Sequence, residues 1–252
     1  MRQLVFTSDW PTSSSPALQL AIDEAMLSWS DRQITSQVDA PEDTAWFRWW
    51  HFDRHVVVLG RSSRLNDEVH LDRCRQRRID VLRRCTGGAS VVGGPGCGMY
   101  SVVVPIENES MRRIDVAHDV VMTKVLAAVQ RQHQSASRQG ICDLTWRNRK
   151  FSGNSLRVSK HHLLYHGTIL YDADLDVIAD CLAFAPRQPD YRQERFHREF
   201  ITNLPIDVSK LQSDLADVFA ATNAAVIPKS MREQAEQLLV SRYSTQKWTT
   251  LR

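Results

Sequence analysis

Long apolar runs are missing from this chain of 252 residues. Its longest, such as residues 56–59 and 102–104, fall far short of the ~20 residues that span a bilayer. The opening Met1-Arg2-Gln3-Leu4-Val5-Phe6 reads as a strand and lacks the extended apolar region of a signal peptide. A soluble, cytoplasmic protein with no membrane partner is expected. Cysteine pairing is missing too: Cys74, Cys85, Cys97, Cys142 and Cys181 are odd in number and contain no Cys-x-x-Cys. That argues against a disulfide framework and a zinc site, and His161, His162 and His166 are too irregularly spaced for a metal. Also absent are an internal repeat, a low-complexity linker and a Gly-Lys-Ser/Thr phosphate loop. The glycines do not lie between a strand and a helix, as a dinucleotide fingerprint requires. A net charge of +3 is too small to imply nucleic acid. The run Trp46, Phe47, Trp49, Trp50 suits a strand with one core face better than a base-stacking surface, so no nucleic-acid partner is expected.

What is present is an ordinary globular composition, 42% hydrophobic and 24% charged, with the charge unevenly placed. Residues 61–84 carry eight arginines against four acids, and residues 138–165 carry six Lys/Arg against Asp143 alone. Guanidinium forks suit phosphate and carboxylate groups, which points to an anionic ligand or an acidic protein partner.

Ser15-Pro16 predicts a helix start, with serine as N-cap and proline in the first turn. Leu18, Ile22, Ala25, Met26 and Trp29 then share a face, and the polar residues 31–43 predict a surface loop. Residues 46–52 and 55–60 are strand-like runs split by Asp53-Arg54, a hairpin pattern. A helix over 66–78, a strand over 79–82, the glycine loop and a strand over 99–104 follow. Ile114, Ala117, Val121, Val125 and Ala128 define an amphipathic helix. Strands are predicted at 143–146, 150–152, 156–158 and 163–171, and a helix at 174–184. A return to the sheet is predicted at 196–204, with helices at about 208–221 and 230–242. This mixture predicts a single α+β domain over residues 1–252, not a doubly wound parallel sheet.

Two segments carry the chemistry. The first is Arg83-Arg84-Cys85-Thr86-Gly87-Gly88-Ala89, which opens a stretch holding Gly87, Gly88, Gly93, Gly94, Gly96 and Gly98, six of the ten glycines. Such density is entropically costly unless the backbone needs unusual dihedrals or close approach to a ligand. The second is Arg149-Lys150-Phe151-Ser152-Gly153-Asn154-Ser155, where small residues beside an ammonium make room for a substrate. That ammonium can steady a carbonyl oxygen and a phosphate as negative charge develops. Together they predict a site for a phosphoryl or acyl-phosphate group.

The order of these motifs resembles the catalytic domain of lipoate–protein ligases, within the biotin and lipoate ligase superfamily. Residues 83–89 look like that family's Arg-Arg-x-Ser/Thr-Gly-Gly-Gly element. Asp143 followed by residues 149–157 resembles its Asp…Lys-Ile/Val-Ser-Gly-Asn/Ser-Ala-x-Arg segment. His166-Gly167-Thr168-Ile169-Leu170-Tyr171 with Asp174-Leu175 resembles its His-Gly-Thr strand. The similarity extends to Ala21-Ile22-Asp23-Glu24, Leu59-Gly60-Arg61 and Tyr243…Trp248. Ala89 stands where the family has a third glycine, Gly93 where it has histidine, Cys97 where it has asparagine, and Cys142 where it often has asparagine or serine.

The resemblance implies mixed, mainly antiparallel sheets flanked by helices, in a chain with no C-terminal accessory domain. It implies attachment of lipoate, by way of lipoyl-AMP, to a lysine of an acidic lipoyl-carrier domain, on a dehydrogenase E2 subunit or a glycine-cleavage H protein. ATP and Mg2+ would be needed, with lipoate or octanoate as the acyl substrate. Lys150 would be catalytic. Arg84, Thr86, Gly87, Gly88, Ala89, Asp143, Ser152, Gly153, Asn154, Arg157, His166, Gly167 and Thr168 would bind the acyl-adenylate, with Asp143 also near the magnesium. A second reading is an octanoyl or lipoyl transferase that draws on an acyl carrier protein thioester. It would use Cys142 as nucleophile, with Cys97 next in line and the thiolate favoured by nearby cations. A third is a non-catalytic lipoate or acyl-adenylate binding protein. A separate accessory subunit is a further candidate partner. The Arg- and aromatic-rich residues 187–197 would cover the site, receive the carrier domain or form a plain surface loop.

Overall fold

The computed structural model describes residues 4–6, 10, 15–36, 45–224 and 226–251. The chain runs β1 (Leu4–Phe6), α1 (Pro16–Ser36), β2 (Ala45–Trp50), β3 (Val56–Leu59), α2 (Leu65–Glu68), α3 (Leu71–Gln76) and β4 (Asp80–Arg83). It continues through β5 (Val91–Gly93), β6 (Cys97–Pro105), α4 (Ile114–Gln130), β7 (Ser137–Gln139), β8 (Asp143–Trp146), β9 (Arg149–Val158) and β10 (His162–Leu170). Then come α5 (Leu175–Cys181), α6 (His197–Phe200), α7 (Val208–Val218), β11 (Ala221–Ala224), α8 (Lys229–Leu238) and α9 (Gln246–Thr249).

Alternation of side chains along the strands builds the core on both faces of one eight-stranded sheet, ordered β11-β1-β2-β6-β10-β9-β8-β7. Phe47, Val102, Leu163 and Tyr165 pack with Val121, Val125, Leu211 and Leu215 from α4 and α7. Their strand neighbours Trp46, Val103 and Leu164 point the other way, onto Ile22 and Met26 of α1 and Met231 of α8, as the two-residue strand period requires. Pairing of β6 with β2 and β10, of β10 with β9 and of β9 with β8 is antiparallel. Among the described residues no helix is long and apolar enough to cross a membrane.

The expected hairpin over 46–60 does not form. β3 leaves the main sheet and becomes the middle of a second sheet, ordered β4-β3-β5. It pairs parallel with β4 and antiparallel with β5. Its four residues are wholly buried, and a strand apolar on both faces needs cover on both. Helix α1 starts as predicted, with Ser15 Oγ accepting from Leu18 N at 3.3 Å, but it continues to Ser36 through polar residues expected to form a loop. Asp31 supplies the reason. Its carboxylate accepts from the backbone N–H groups of Lys160 (3.0 Å) and His161 (3.1 Å), and from the Ser159 hydroxyl. Tertiary anchoring thus overrides local polarity.

Other differences are local. The helix expected over 66–78 breaks at Val69, which bridges Leu182 in an extended conformation. The strands expected at 150–152 and 156–158 are one strand, β9, because Asn154 stays paired with Gly167 of β10. At 196–204 helix α6 forms first, and the chain then meets the sheet without forming a strand: Ile201 makes a parallel bridge to Lys150, Thr202 N donates to Lys150 O (2.9 Å) and Leu204 N to Leu170 O (2.8 Å). Ile114 is 61% exposed, so the buried face of α4 begins at Ala117. The short edge strand β11 has no counterpart in the sequence reading.

Candidate active site

Both arginines of the first motif turn inward. Arg83 donates to the carbonyls of Gly60 (2.6 Å), Ser63 (2.8 Å) and Thr249 (2.9 Å). Arg84 donates to Val58 O (3.1 Å), Thr86 Oγ1 (3.0 Å), Gly87 O (2.5 Å) and Ala89 O (2.9 Å). The guanidiniums therefore hold the loop by its carbonyls. Ser155 Oγ also donates to Gly87 O at 2.9 Å, and Ser63 Oγ to Gly88 O at 3.2 Å. With the carbonyls so occupied, the N–H groups of Gly87, Gly88 and Ala89 have no partner among the described residues. Unpaired amides in succession are donors that an anion can take. The loop lies so close to the end of β3 that a Cβ on Gly60 would sit 1.9 Å from Gly88 O. The glycine density has a second cause, because Gly96 and Gly98 lie against the backbone of Asp172 and the ring of Trp49. Those two glycines serve packing, not a ligand loop.

Behind the loop runs a buried relay of hydrogen bonds. Thr86 Oγ1 lies 2.6 Å from His166 Nε2, and His166 Nδ1 lies 2.9 Å from Asp23 Oδ2. Asp23 is fixed in turn by Arg48 Nη1 (3.0 Å) and Ser101 Oγ (2.8 Å). A second carboxylate, Glu24, accepts from Arg157 (2.7 Å), Arg242 (2.6 Å) and Tyr243 (2.8 Å). Burial alone would raise the Glu24 carboxyl, but these three bonds outweigh it and hold it below its ordinary value. Arg157 thus braces α1 with the nitrogen that meets Glu24. Asn154 is likewise engaged, accepting from Tyr100 OH and donating to Cys142 O (2.8 Å) and Ser152 Oγ (3.1 Å). Gly167 has no side chain because a Cβ there would lie 1.7 Å from Asn154 Oδ1.

In front of this wall lies a cleft of about 140 Å³, lined by Ala89, Val92, Lys150, Phe151, Ser152, Gly153, Thr168, Leu170, Ile178, Leu182, Arg192 and Phe200, among others. Lys150 is placed by the turn between β8 and β9, where Arg147 (φ 51°) and Asn148 (φ 57°) both occupy the left-handed region, as a two-residue hairpin turn demands. Its Nζ lies 2.7 Å from Asp143 Oδ1, and Tyr191 OH donates to Asp143 Oδ2 at 2.7 Å. A Cβ on Gly153 would stand 3.0 Å from the Lys150 ammonium, so glycine keeps that volume clear. Asp143 has both oxygens engaged, and among the described residues no three His, Cys, Asp or Glu side chains converge as a metal site. This donor set does not suit a resident magnesium ion.

The predicted residues thus divide. Ala89, Lys150, Ser152, Gly153 and Thr168 line the cleft, while Arg84, Thr86, Asn154, Arg157 and His166 lie in the hydrogen-bonded wall behind it. Cys142 is half-buried, and its Sγ donates to Asn154 O at 3.0 Å. Burial pushes this thiol up, Asp143 adds to the effect and Lys150 opposes it. The expectation of a thiolate favoured by its neighbours is therefore reversed. Cys97 is buried in the core and pushed up to about 12. Sequence reasoning missed Glu68, Tyr191, Arg192 and His197. The last three fall in the Arg- and aromatic-rich segment that it noted without assigning.

An α+β scaffold presenting an apolar cleft, a glycine loop with free amides and a carboxylate-held lysine defines a class of acyl-transferring enzyme. The family model described as "Lipoyl protein ligase A/B catalytic domain" matches residues 15–223, and the chain belongs to that family of enzymes. The octanoyltransferase LipM of Brevibacillus brevis is 23% identical, over 94% of this chain and 96% of its own. Among solved structures, protein Ta0514 of T. acidophilum with bound lipoic acid has a TM-score of 0.80 at 20% identity, covering all of both chains. The bipartite lipoate protein ligase of Thermoplasma acidophilum, described with its E2 lipoyl domain, has a TM-score of 0.81 at 21% identity, covering 100% of this chain and 98% of its own. The structural likenesses concern the fold.

Proposed function

We propose that the chain is an acyl–protein ligase. It would activate lipoate or octanoate as the acyl-AMP and pass the acyl group to a lysine of a lipoyl-carrier domain. The observation that carries this reading is the Lys150 ammonium, held by Asp143 at 2.7 Å in the cleft that Ala89 of the amide-bearing loop also lines. In the first step a carboxylate oxygen attacks the α-phosphorus of ATP and pyrophosphate leaves. In the second the neutral amine of the carrier lysine attacks the acyl carbonyl, the amide forms and AMP departs. Negative charge develops on phosphate or carbonyl oxygen in both, where fixed donors in a water-poor site stabilise it. Exposed Arg187, which lines the cleft, suits an acidic carrier domain, and the Thermoplasma ligase is described with an E2 lipoyl domain.

The likeness to LipM supports a second reading, transfer from an acyl carrier protein thioester without ATP. That route needs a thiolate, and the Cys142 thiol is protonated and turned onto a carbonyl. The experiment supplies lipoate or octanoate with ATP and magnesium, or octanoyl-acyl carrier protein alone, and weighs a lipoyl domain by mass spectrometry. An ATP-dependent mass gain supports the ligase. A gain from the thioester, abolished by Cys142→Ser, replaces it with the transferase. No gain from either donor overturns both.

A further inference from the structure

Arg192 is 5% exposed, lines the acyl cleft and lacks partners for most of its donors. Its Nε–H donates to Arg195 O at 3.0 Å. Nη2 is buried with no hydrogen-bond partner, and Nη1 has none among the described residues. The guanidinium carbon lies over the rings of Phe184 (4.8 Å) and Phe200 (4.7 Å), which pack on the charge without filling its hydrogen bonds. The neighbouring carboxylates meet other donors, Asp143 those of Lys150 and Tyr191, and Glu68, which also lines the cleft, those of Ser63 and Ser90 through Oε2. His197 adds no charge, because burial and the Arg192 and Lys150 cations hold it down to about 4. A buried guanidinium that no carboxylate meets in a hydrogen bond is costly, even with the charge of Asp143 nearby, and a residue that only tied the segment shut would spend its terminal nitrogens on backbone carbonyls, as Arg83 does.

We propose that Arg192 is a second cationic contact of the acyl cleft, its terminal nitrogens taking an oxyanion of the donor beside Lys150. That oxyanion is the carboxylate of the free acid or the phosphate of the acyl-phosphate anhydride. Lys150 is already paired with Asp143, so Arg192 supplies a cation that no direct ion pair occupies, whereas a thioester is neutral at its reacting carbonyl. The identity of the ligand rests on the ligase reading; the anion site itself does not.

The test is titration calorimetry of the full chain with octanoate, octanamide and AMP. Octanoate and octanamide share a chain and differ in charge. Wild type is expected to prefer octanoate by roughly 10- to 100-fold, the worth of charge-assisted hydrogen bonding. Arg192→Gln is expected to cut that preference about tenfold and leave octanamide affinity within about twofold. Arg192→Lys keeps the charge without the fork and retains part of the preference. Phe184→Leu loosens the stacking with the charge intact and leaves the ratio unchanged. Loss of octanoate affinity in Arg192→Gln identifies the carboxylate as the ligand, and loss of AMP affinity alone identifies the phosphate. Unchanged affinity for both anions, an equal fall of the ratio in Phe184→Leu, or a wild type that neither prefers octanoate nor binds AMP overturns the proposal. These titrations need no acyl transfer, so they can fail while the lipoyl-domain assay succeeds, and the reverse.

Discussion

In the proposed ligase Lys150 would act through a charge that Asp143 orients, while its side chain stays 28% exposed. Asp143 is only 11% exposed but keeps its hydrogen bond from Tyr191 OH when the ammonium is removed, so the loss of stability should be modest beside the loss of rate. In Lys150→Ala, single-turnover transfer from preformed acyl-AMP is expected to fall by about 10²- to 10³-fold, the usual loss for one electrostatic donor. The thermal midpoint should fall by roughly 2–4 °C, the shift that about 1 kcal/mol produces in a chain of this size. Cys142→Ser should leave that rate within about twofold, since a protonated thiol is a poor nucleophile. Asp31 gives a pH-dependent counterpart. Burial alone would raise its carboxyl, but hydrogen bonds from His162, Ser159 and the backbone of His161 and Lys160 outweigh it and pull it down to about 2. A depressed carboxyl contributes stability that is complete above its unfolded pKa of ~3.9 and drains as pH falls toward about 2. Asp31→Asn should therefore cost about 1 kcal/mol at pH 7, allowing for solvent screening. The gap to wild type should narrow from about pH 4 and close near about 2 in acid-titrated urea unfolding.

At the scale of elements, α7 ends with Ala220 in the left-handed region (φ 54°), its N–H donating to Asp217 O at 2.8 Å. That is a position where glycine carries no Cβ penalty. Ala220→Gly should raise stability by about 0.5–1 kcal/mol and Tm by roughly 1–4 °C in calorimetry. The same geometry shows what the sequence revealed. Ser15-Pro16 announced α1 because a cap is local chemistry. Lys150, Gly153 and Thr168 were found through motif order, and the cleft brings them together. The broken hairpin was not legible, because Val56–Leu59 is equally apolar as a hairpin arm or as the centre of another sheet. Nor was the inward turn of Arg83 and Arg84, since a guanidinium beside glycines has the same spelling whether it grips a ligand or the loop. Arg192 escaped for a similar reason. Its significance is a missing partner, which only packing exposes.

At the scale of the whole molecule, the active loop depends on the far end of the chain. Arg83 bonds the carbonyls of Gly60, Arg61 and Ser63 after β3 and those of Trp248 and Thr249 in α9, while Trp248 Nε1 donates back to Arg83 O at 2.8 Å. One side chain thus joins strand β4, the turn that abuts Gly88, and a helix some 165 residues away. Lysine would keep the charge but brings only three donors from a single point, so at least two of those five carbonyls would lose their partner. At about 1–2 kcal/mol for each unsatisfied group, Arg83→Lys should cost about 2–4 kcal/mol. The urea midpoint should then fall by roughly 1 M. Because Gly60 packs directly on Gly88 O, loosening this clamp should also disturb the loop amides. Single-turnover acyl transfer is expected to drop several-fold at urea concentrations where the variant is still folded. A lower midpoint with an unchanged rate would show that the clamp only stabilises the fold and that the loop holds its shape without it.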